Sequence, residues 1–149
     1  MKKYTFILAA LFLAFSFTAC SQNKVSTAVA NAFAKKFPTV KKATWSKEGK
    51  TQWEAEFELN KKDMSANFDY HGNWKETETD LEVSDLTATV INTLGKQFPS
   101  YNIKEVAYTE TPTSSAYEII IKKGESKMEV TIDKTGKLLS KENANEEND

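Results

Sequence analysis

The chain matches itself in two registers. Residues 29–45, VANAFAKKFPTVKKATW, align with residues 90–106, VINTLGKQFPSYNIKEV, at an offset of 61. Val29 meets Val90, Phe33 meets Leu94, Lys35 meets Lys96, and Phe37-Pro38 meets Phe98-Pro99. Further on the offset is 64. Trp53-Glu54 meets Tyr117-Glu118, Met64 meets Met128, Phe68-Asp69 meets Ile132-Asp133, Gly72 meets Gly136, and Trp74 meets Leu138. Three extra residues in the second copy, between Val106 and Tyr117, are expected in a hairpin loop. A duplicated unit constrains the fold strongly, because both copies must reach the same structure. Roughly sixty residues make only a marginal core alone, so the copies should pack together or join their sheets.

Each copy opens at helical period. Val25, Val29, Phe33 and Phe37 recur every four residues, as do Leu86, Val90, Leu94 and Phe98, giving one apolar stripe per helix. Ser84 followed by Asp85 reads as an N-cap with an acidic first turn. The Phe-Pro pair closes each helix, since proline disfavours helical geometry in the residue before it. Strands follow. Trp53, Ala55, Phe57 and Leu59 alternate with Gln52, Glu54, Glu56 and Glu58, which predicts one buried and one wet face. Asn60–Asp63 reads as a tight turn. Met64, Ala66, Phe68 and Tyr70 continue the alternation, His71-Gly72-Asn73 turns the chain, and Trp74 begins another strand. Tyr117, Ile119 and Ile121 behave likewise with Met128, Val130 and Ile132, before Lys134-Thr135-Gly136 turns into residues 137–140. A short strand near 41–46, copied near 102–109, completes each unit. The expected class is α+β: a tandem repeat of a helix plus a four-stranded antiparallel meander, in two layers. The first repeat spans 25–83 and the second 84–141, and 142–149 reads as a disordered acidic tail.

The first twenty residues give an address. Lys2 and Lys3 precede an apolar run from Tyr4 to Phe17, and Thr18-Ala19 lead into Cys20. This resembles a bacterial lipoprotein signal, with residues 1–19 removed, Cys20 lipidated and 20–24 serving as a tether. Phe17 stands where the usual box has an aliphatic residue. A second acyl chain makes such anchoring firm. Lipidation also accounts for the single cysteine of a secreted chain. Ser21-Gln22-Asn23 carries no acidic cluster, which places the expected anchor at the outer membrane, facing the periplasm.

Composition removes several functions. The 20 basic residues are all lysine, against 21 Asp plus Glu and a net charge of −1, which argues against nucleic acid. Without arginine the bidentate phosphate or carboxylate clamp is missing. One cysteine and one histidine argue against a disulfide scaffold, a Cys/His zinc site and a Cys–His catalytic pair. No P-loop, dinucleotide fingerprint, H-E-x-x-H or nucleophile elbow occurs. No catalytic residue, metal site or cofactor is therefore expected. His71 reads as a surface turn residue, and Trp53 as core, with Trp45 and Trp74 nearer strand ends. Glu54, Glu56 and Glu58 share one strand face about 6–7 Å apart and make a candidate partner-binding surface, together with Asp63. Ile120, flanked by outward-pointing Glu118 and Lys122 beside an expected long Tyr108–Ala116 loop, is a candidate contact residue.

The order of these motifs resembles the beta-lactamase-inhibitor-like, PepSY-like family of secreted bacterial proteins. The carrying residues are Phe37-Pro38 and Phe98-Pro99, Trp53 and Tyr117, Asp69 with Gly72, and Asp133 with Gly136, over roughly residues 25–141. The resemblance implies a beta-lactamase inhibitor protein-like fold. True inhibitors bind their enzyme across the sheet and insert a turn into its active site. Here that turn would be Asn60-Lys61-Lys62-Asp63, although the disulfides of those inhibitors are absent. The expected function is a non-enzymatic, lipid-anchored envelope protein that binds a protein or peptide through its sheet face or hairpin loops. A small-ligand or cation binder on the acidic face, and an inhibitor of a periplasmic hydrolase, are the alternatives.

Overall fold

The computed structural model describes residues 25–144. The leader, Cys20, the tether and the last five residues lie outside that range. Helix α1 spans Thr27–Lys36, followed by β1 (Thr44–Glu48), β2 (Gln52–Leu59), β3 (Lys62–Asp69) and β4 (Trp74–Leu81). A short 3-10 turn at Val83–Asp85 leads into α2 (Ala88–Gln97), then β5 (Asn102–Glu110), β6 (Ser115–Lys123), β7 (Ser126–Ile132) and β8 (Leu138–Asn143). All eight strands form one antiparallel sheet in chain order. Among the described residues no helix is long and apolar enough to cross a membrane.

Both helices begin and end alike. Ser26 Oγ accepts the Val29 amide at 3.3 Å, and Thr87 Oγ1 accepts the Val90 amide at 3.3 Å, satisfying a donor that has no partner inside the helix. Thr87, not Ser84, is thus the cap. Ser84 and Asp85 lie in the 3-10 turn, where the Asp85 carboxylate accepts the Glu82 amide and the Lys62 ammonium. That turn lets Leu86 reach the core before the helix starts. The amide of Phe37 donates to the Phe33 carbonyl, and that of Phe98 to the Leu94 carbonyl, at 2.8 Å each. Proline follows each and stops the helix.

The strand register puts every core side chain on one face. Trp53, Ala55 and Phe57 face Phe68, Ala66 and Met64 across β2–β3, and Ile119 faces Val106 and Val130. Met64 pairs with Thr79, Thr79 with Tyr108, and Tyr108 with Tyr117, so the same face continues across the sheet. Both helices pack there. The core is nevertheless double. Val29, Phe33 and Phe37 pack with residues of β2 and β3, whereas Leu86, Val90, Leu94 and Phe98 pack with β5–β7. The first core is aromatic, with Phe57 ring centroids 5.1 Å from Phe33 and 4.6 Å from Phe37. The second uses Leu94 and Ile121 at the matching positions.

Two turns press the layers together. The Asp69 carboxylate accepts the amides of His71 and Asn73, and Asp133 accepts those of Thr135 and Lys137. The Asn73 side-chain amide and then Lys75 at Asp69, and the Thr135 hydroxyl at Asp133, together with these backbone bonds, hold both carboxylates below the usual aspartate range. Gly72 and Gly136 follow with φ of +86° and +85°, which glycine alone adopts freely. They also touch the helices. A Cβ on Gly72 would lie 2.8 Å from the Ala28 carbonyl oxygen, and one on Gly136 would overlap Thr89.

The sheets join through β4 and β5, from Thr77↔Glu110 to Leu81↔Val106. The three extra residues do not make a long loop. Thr109↔Ala116 stands where Glu48↔Gln52 stands in the first half, and the second hairpin then adds one rung, Glu110↔Ser115, and one loop residue. Tyr108 and Ala116, expected in a loop, are strand residues, and only Thr111–Ser114 turn the chain. The added rung contributes Glu110 to the joint with β4. At the other end β8 runs to Asn143 against β7, so Glu142 and Asn143 are strand rather than disordered tail.

Gly72→Ala and Gly136→Ala should each destabilise the protein by roughly 1–3 kcal/mol or more, from positive φ and the Cβ collision. Gly95→Ala, in α2 with nothing within 4 Å of the added Cβ, should stabilise by about 0.5–1 kcal/mol. Urea unfolding of the three variants checks the opposite signs.

Candidate functional site

The face away from the helices is uncovered among the described residues, and its outward side chains form rows across the strands. Ser46, Glu54, Asn67 and Glu76 make one row. Glu56, Ser65, Glu78, Thr109 and Ala116 make the next. Asp80, Ala107, Glu118, Thr131 and Ser140 make a third. Glu105, Ile120, Glu129 and Glu142 make a fourth. Among the described residues no lysine pairs with a carboxylate at the centre. The two ion pairs among the described residues, Lys62–Asp85 and Lys75–Asp69, both bind turn aspartates.

Crowding shows in the acidities. Burial, and then repulsion from Asp80, Glu76, Glu54 and Glu129, pushes Glu78 up to about 7. Burial, and then Glu78 and Glu129, pushes Glu118 up to about 7, while the neighbouring Thr109 hydroxyl partly opposes the rise. Burial, followed by acidic neighbours, also raises Glu54, Glu76, Asp80 and Glu129. At Glu54 a 3.3 Å bond from the Ser46 hydroxyl partly opposes the rise. Among the described residues, three buried polar atoms on this face lack a well-formed hydrogen bond: Asn67 Oδ1, Thr109 Oγ1 and Glu118 Oε2. Buried polar atoms are nearly always paired, so three orphans on one face mark it out. The chemistry available is electrostatic attraction and hydrogen-bond acceptance. Among the described residues no three His, Cys, Asp or Glu side chains converge to hold a metal ion.

The structure puts Glu54, Glu56 and Glu58 on this face, as the alternation predicts, but at its side. Glu56 and Glu58 are exposed and Glu54 half-buried. Asp63 is not part of the turn. It lies in β3 opposite Glu58, while Asn60 and Lys61 alone make the bend, with φ of 55° and 63°, the conformation of a two-residue type I′ hairpin. A turn presenting Asn60 and Lys61 offers no carboxylate at its tip. Ile120 does point outward, half-buried between Glu105 and Glu129. It sits well along the strand from the short Thr111–Ser114 turn, so that turn is not its setting. His71 is an exposed turn residue, Trp53 is core, and Trp45 and Trp74 are partly buried against the first core. The centre of the face, Glu76, Glu78, Asp80, Thr109, Glu118 and Glu129, is what the sequence reading missed as a group. The spacing Glu76-x-Glu78-x-Asp80 carries the signal, but gathering it with Glu118 needs the β4–β5 and β5–β6 registers.

A family model described as "Putative beta-lactamase-inhibitor-like, PepSY-like" matches residues 50–140. A BLIP-like protein from Bacteroides fragilis NCTC 9343 has a similar fold, with TM-score 0.77 and 22% identity over 85% of this chain and 91% of that one. A DUF2874 family protein from Bacteroides ovatus ATCC 8483 gives TM-score 0.76 and 24% identity over 81% and 89%. A protein from Bacteroides eggerthii DSM 20697 described as "putative periplasmic" gives 0.74 and 22% over 80% and 89%. No curated protein matches the chain.

The raised glutamates give stability a definite pH slope. Between their ordinary range, near 4.5, and about 7, the folded state binds more protons than the unfolded one. Stability should therefore rise as pH falls from 8 to 5.5. Asp69, Asp85 and Asp133 are shifted downward and contribute no slope in that window. Glu78→Gln and Glu118→Gln should each raise the melting temperature at pH 8 and flatten the slope, as followed by thermal melts across the range.

Proposed function

Because the chain belongs to the beta-lactamase-inhibitor-like, PepSY-like family, we propose that it acts without catalysis, as a cell-envelope protein that holds a protein or peptide against the outer face of its sheet. One observation carries this reading. The uncovered face keeps its carboxylates crowded, half-buried and unneutralised, with three polar atoms lacking partners. A fold gains nothing from such repulsion, so its persistence fits a surface completed by something else.

The address completes the proposal. The leader ending in Cys20 supports a lipid anchor at the outer membrane, with the domain facing the periplasm. The description of the similar Bacteroides eggerthii protein agrees with an envelope location. The offsets of 61 and 64, together with the matched caps and glycine turns, support a tandem duplication of a helix and a four-stranded meander. Inhibition of a periplasmic hydrolase through the Asn60–Lys61 turn is less favoured, since the turn carries no carboxylate. Cation binding lacks a convergent ligand set among the described residues.

The full chain, used as bait in bacterial envelope extract, should retain a partner. A variant with Glu54, Glu56, Glu58 and Glu118 changed to lysine should lose it by about tenfold or more, as expected when complementary charge is reversed. Equal retention by both baits, or no partner at any salt concentration tried, overturns the reading.

A further inference from the structure

The seam between the halves carries a more specific assignment, which rests on the outer face being the binding surface. There β4, β5 and β6 bring together six outward side chains in two rows, Asp80–Ala107–Glu118 and Glu78–Thr109–Ala116. Small residues occupy the middle, and carboxylates stand on both sides. Glu78 and Asp80 on β4 are two strand spacings, about 9–10 Å, from β6. Thr109 is only 5% exposed, and its hydroxyl leans on the Glu118 carboxylate, which it helps to keep ionised, without forming a well-aligned hydrogen bond. A threonine turned away from the helices, nearly buried and only loosely held by one carboxylate, is unusual on an open face.

The unmet atoms specify the chemistry of what would meet them. Glu118 Oε2, and Asn67 Oδ1 two strands away from Thr109, are acceptors when the glutamate is ionised, while the hydroxyl both accepts and donates. They call for a ligand rich in N–H donors and positively charged. Among the described residues no ion pair reaches this place, since both lie at turns. We infer that this seam is the seat of a lysine- or arginine-bearing extended segment of the partner protein, its cation lying across Thr109 between Glu78 and Glu118. Binding there would release protons. Glu76 and Asp80 on β4, Glu54 on β2 and Glu129 on β7 face these two glutamates and add to their reluctance to ionise. An arriving cation reverses that balance.

The test uses the full chain and a labelled short peptide of alternating lysine and serine, followed by fluorescence anisotropy at about 0.15 M salt, where charges beyond ~8 Å are screened. Glu118→Gln should weaken binding at least ~tenfold and Thr109→Val ~threefold or more, as for lost charge-assisted hydrogen bonds in a partly buried site. Glu125→Gln, the same charge removed at the exposed β6–β7 turn, should change it less than ~twofold. Affinity should also fall between pH 8 and 5.5. Thermal melts establish that the variants fold. Equal losses from Glu118→Gln and Glu125→Gln would mean diffuse attraction and overturn the seat at Thr109. Displacement by spermidine at equal amine concentration would point to a free polyamine instead of a protein segment, and also overturns it. If the peptide does not bind but the envelope partner is still lost in the charge-reversed bait, the cationic assignment fails while the function proposed above stands. If both fail, the binding face itself is wrong.

Discussion

Two glycine contacts hold the layers of this protein in place. At each, a turn closed by an aspartate carboxylate brings backbone against the first turn of a helix, with no room for a side chain between them. The consequences run outward from that contact. It sets the height of the helix over the sheet and so decides which side chains fill the gap. It also fixes where the strand after the turn begins, with Trp74 and Leu138 directed at the core. In the first half Lys36 adds a clamp, its ammonium 3.4 Å above the Trp74 ring. In the second the Thr93 hydroxyl donates to the Gly136 carbonyl at 2.6 Å. One steric constraint is thus reinforced by two unrelated interactions, each drawn from what its half has available.

The sequence shows the local parts of this design plainly, because they are written in periodicity. Val29, Phe33 and Phe37 are legible as a helix face, and Trp53, Ala55 and Phe57 as a strand face, since each pattern has a single period. The cap of α2 is less legible. Ser84-Asp85 has the composition of a cap, but Leu86 must enter the core first, and that is a tertiary demand. The length of β5 is hidden for a similar reason, since hairpin growth and loop growth look identical in an insertion of three residues. The acidic face was half visible. Glu54 stands out beside Trp53, whereas Glu78 and Glu118 lie forty residues apart and meet only through a register that no local pattern encodes.

Charge on the two faces of the hairpin turns and on the sheet does opposite work. At Asp69 and Asp133, side-chain donors from Asn73, Lys75 and Thr135, with backbone amides beside them, surround the carboxylates and favour ionisation. On the sheet, carboxylates surround one another and oppose it. The first arrangement stabilises turns that the fold requires. The second leaves a field directed outward from the molecule, concentrated where side chains are smallest. A surface of this kind draws in positive charge from a distance and holds it once water has been displaced.

The seam has one more consequence. Each half has its own core, and most inner side chains where they meet are polar or partly so, Thr77, Thr79, Tyr108 and Glu110, with Leu81 against Val106 an apolar pair at one end. The halves are therefore bound mainly by a ladder of backbone hydrogen bonds, with little shared apolar packing beyond Leu81. Such a molecule has two cooperative units with a narrow bridge between them, and their melting need not coincide. Anything gripping residues of β4 and β6 at once would weld those units into one, so occupancy would register in the sharpness of unfolding as well as in its midpoint.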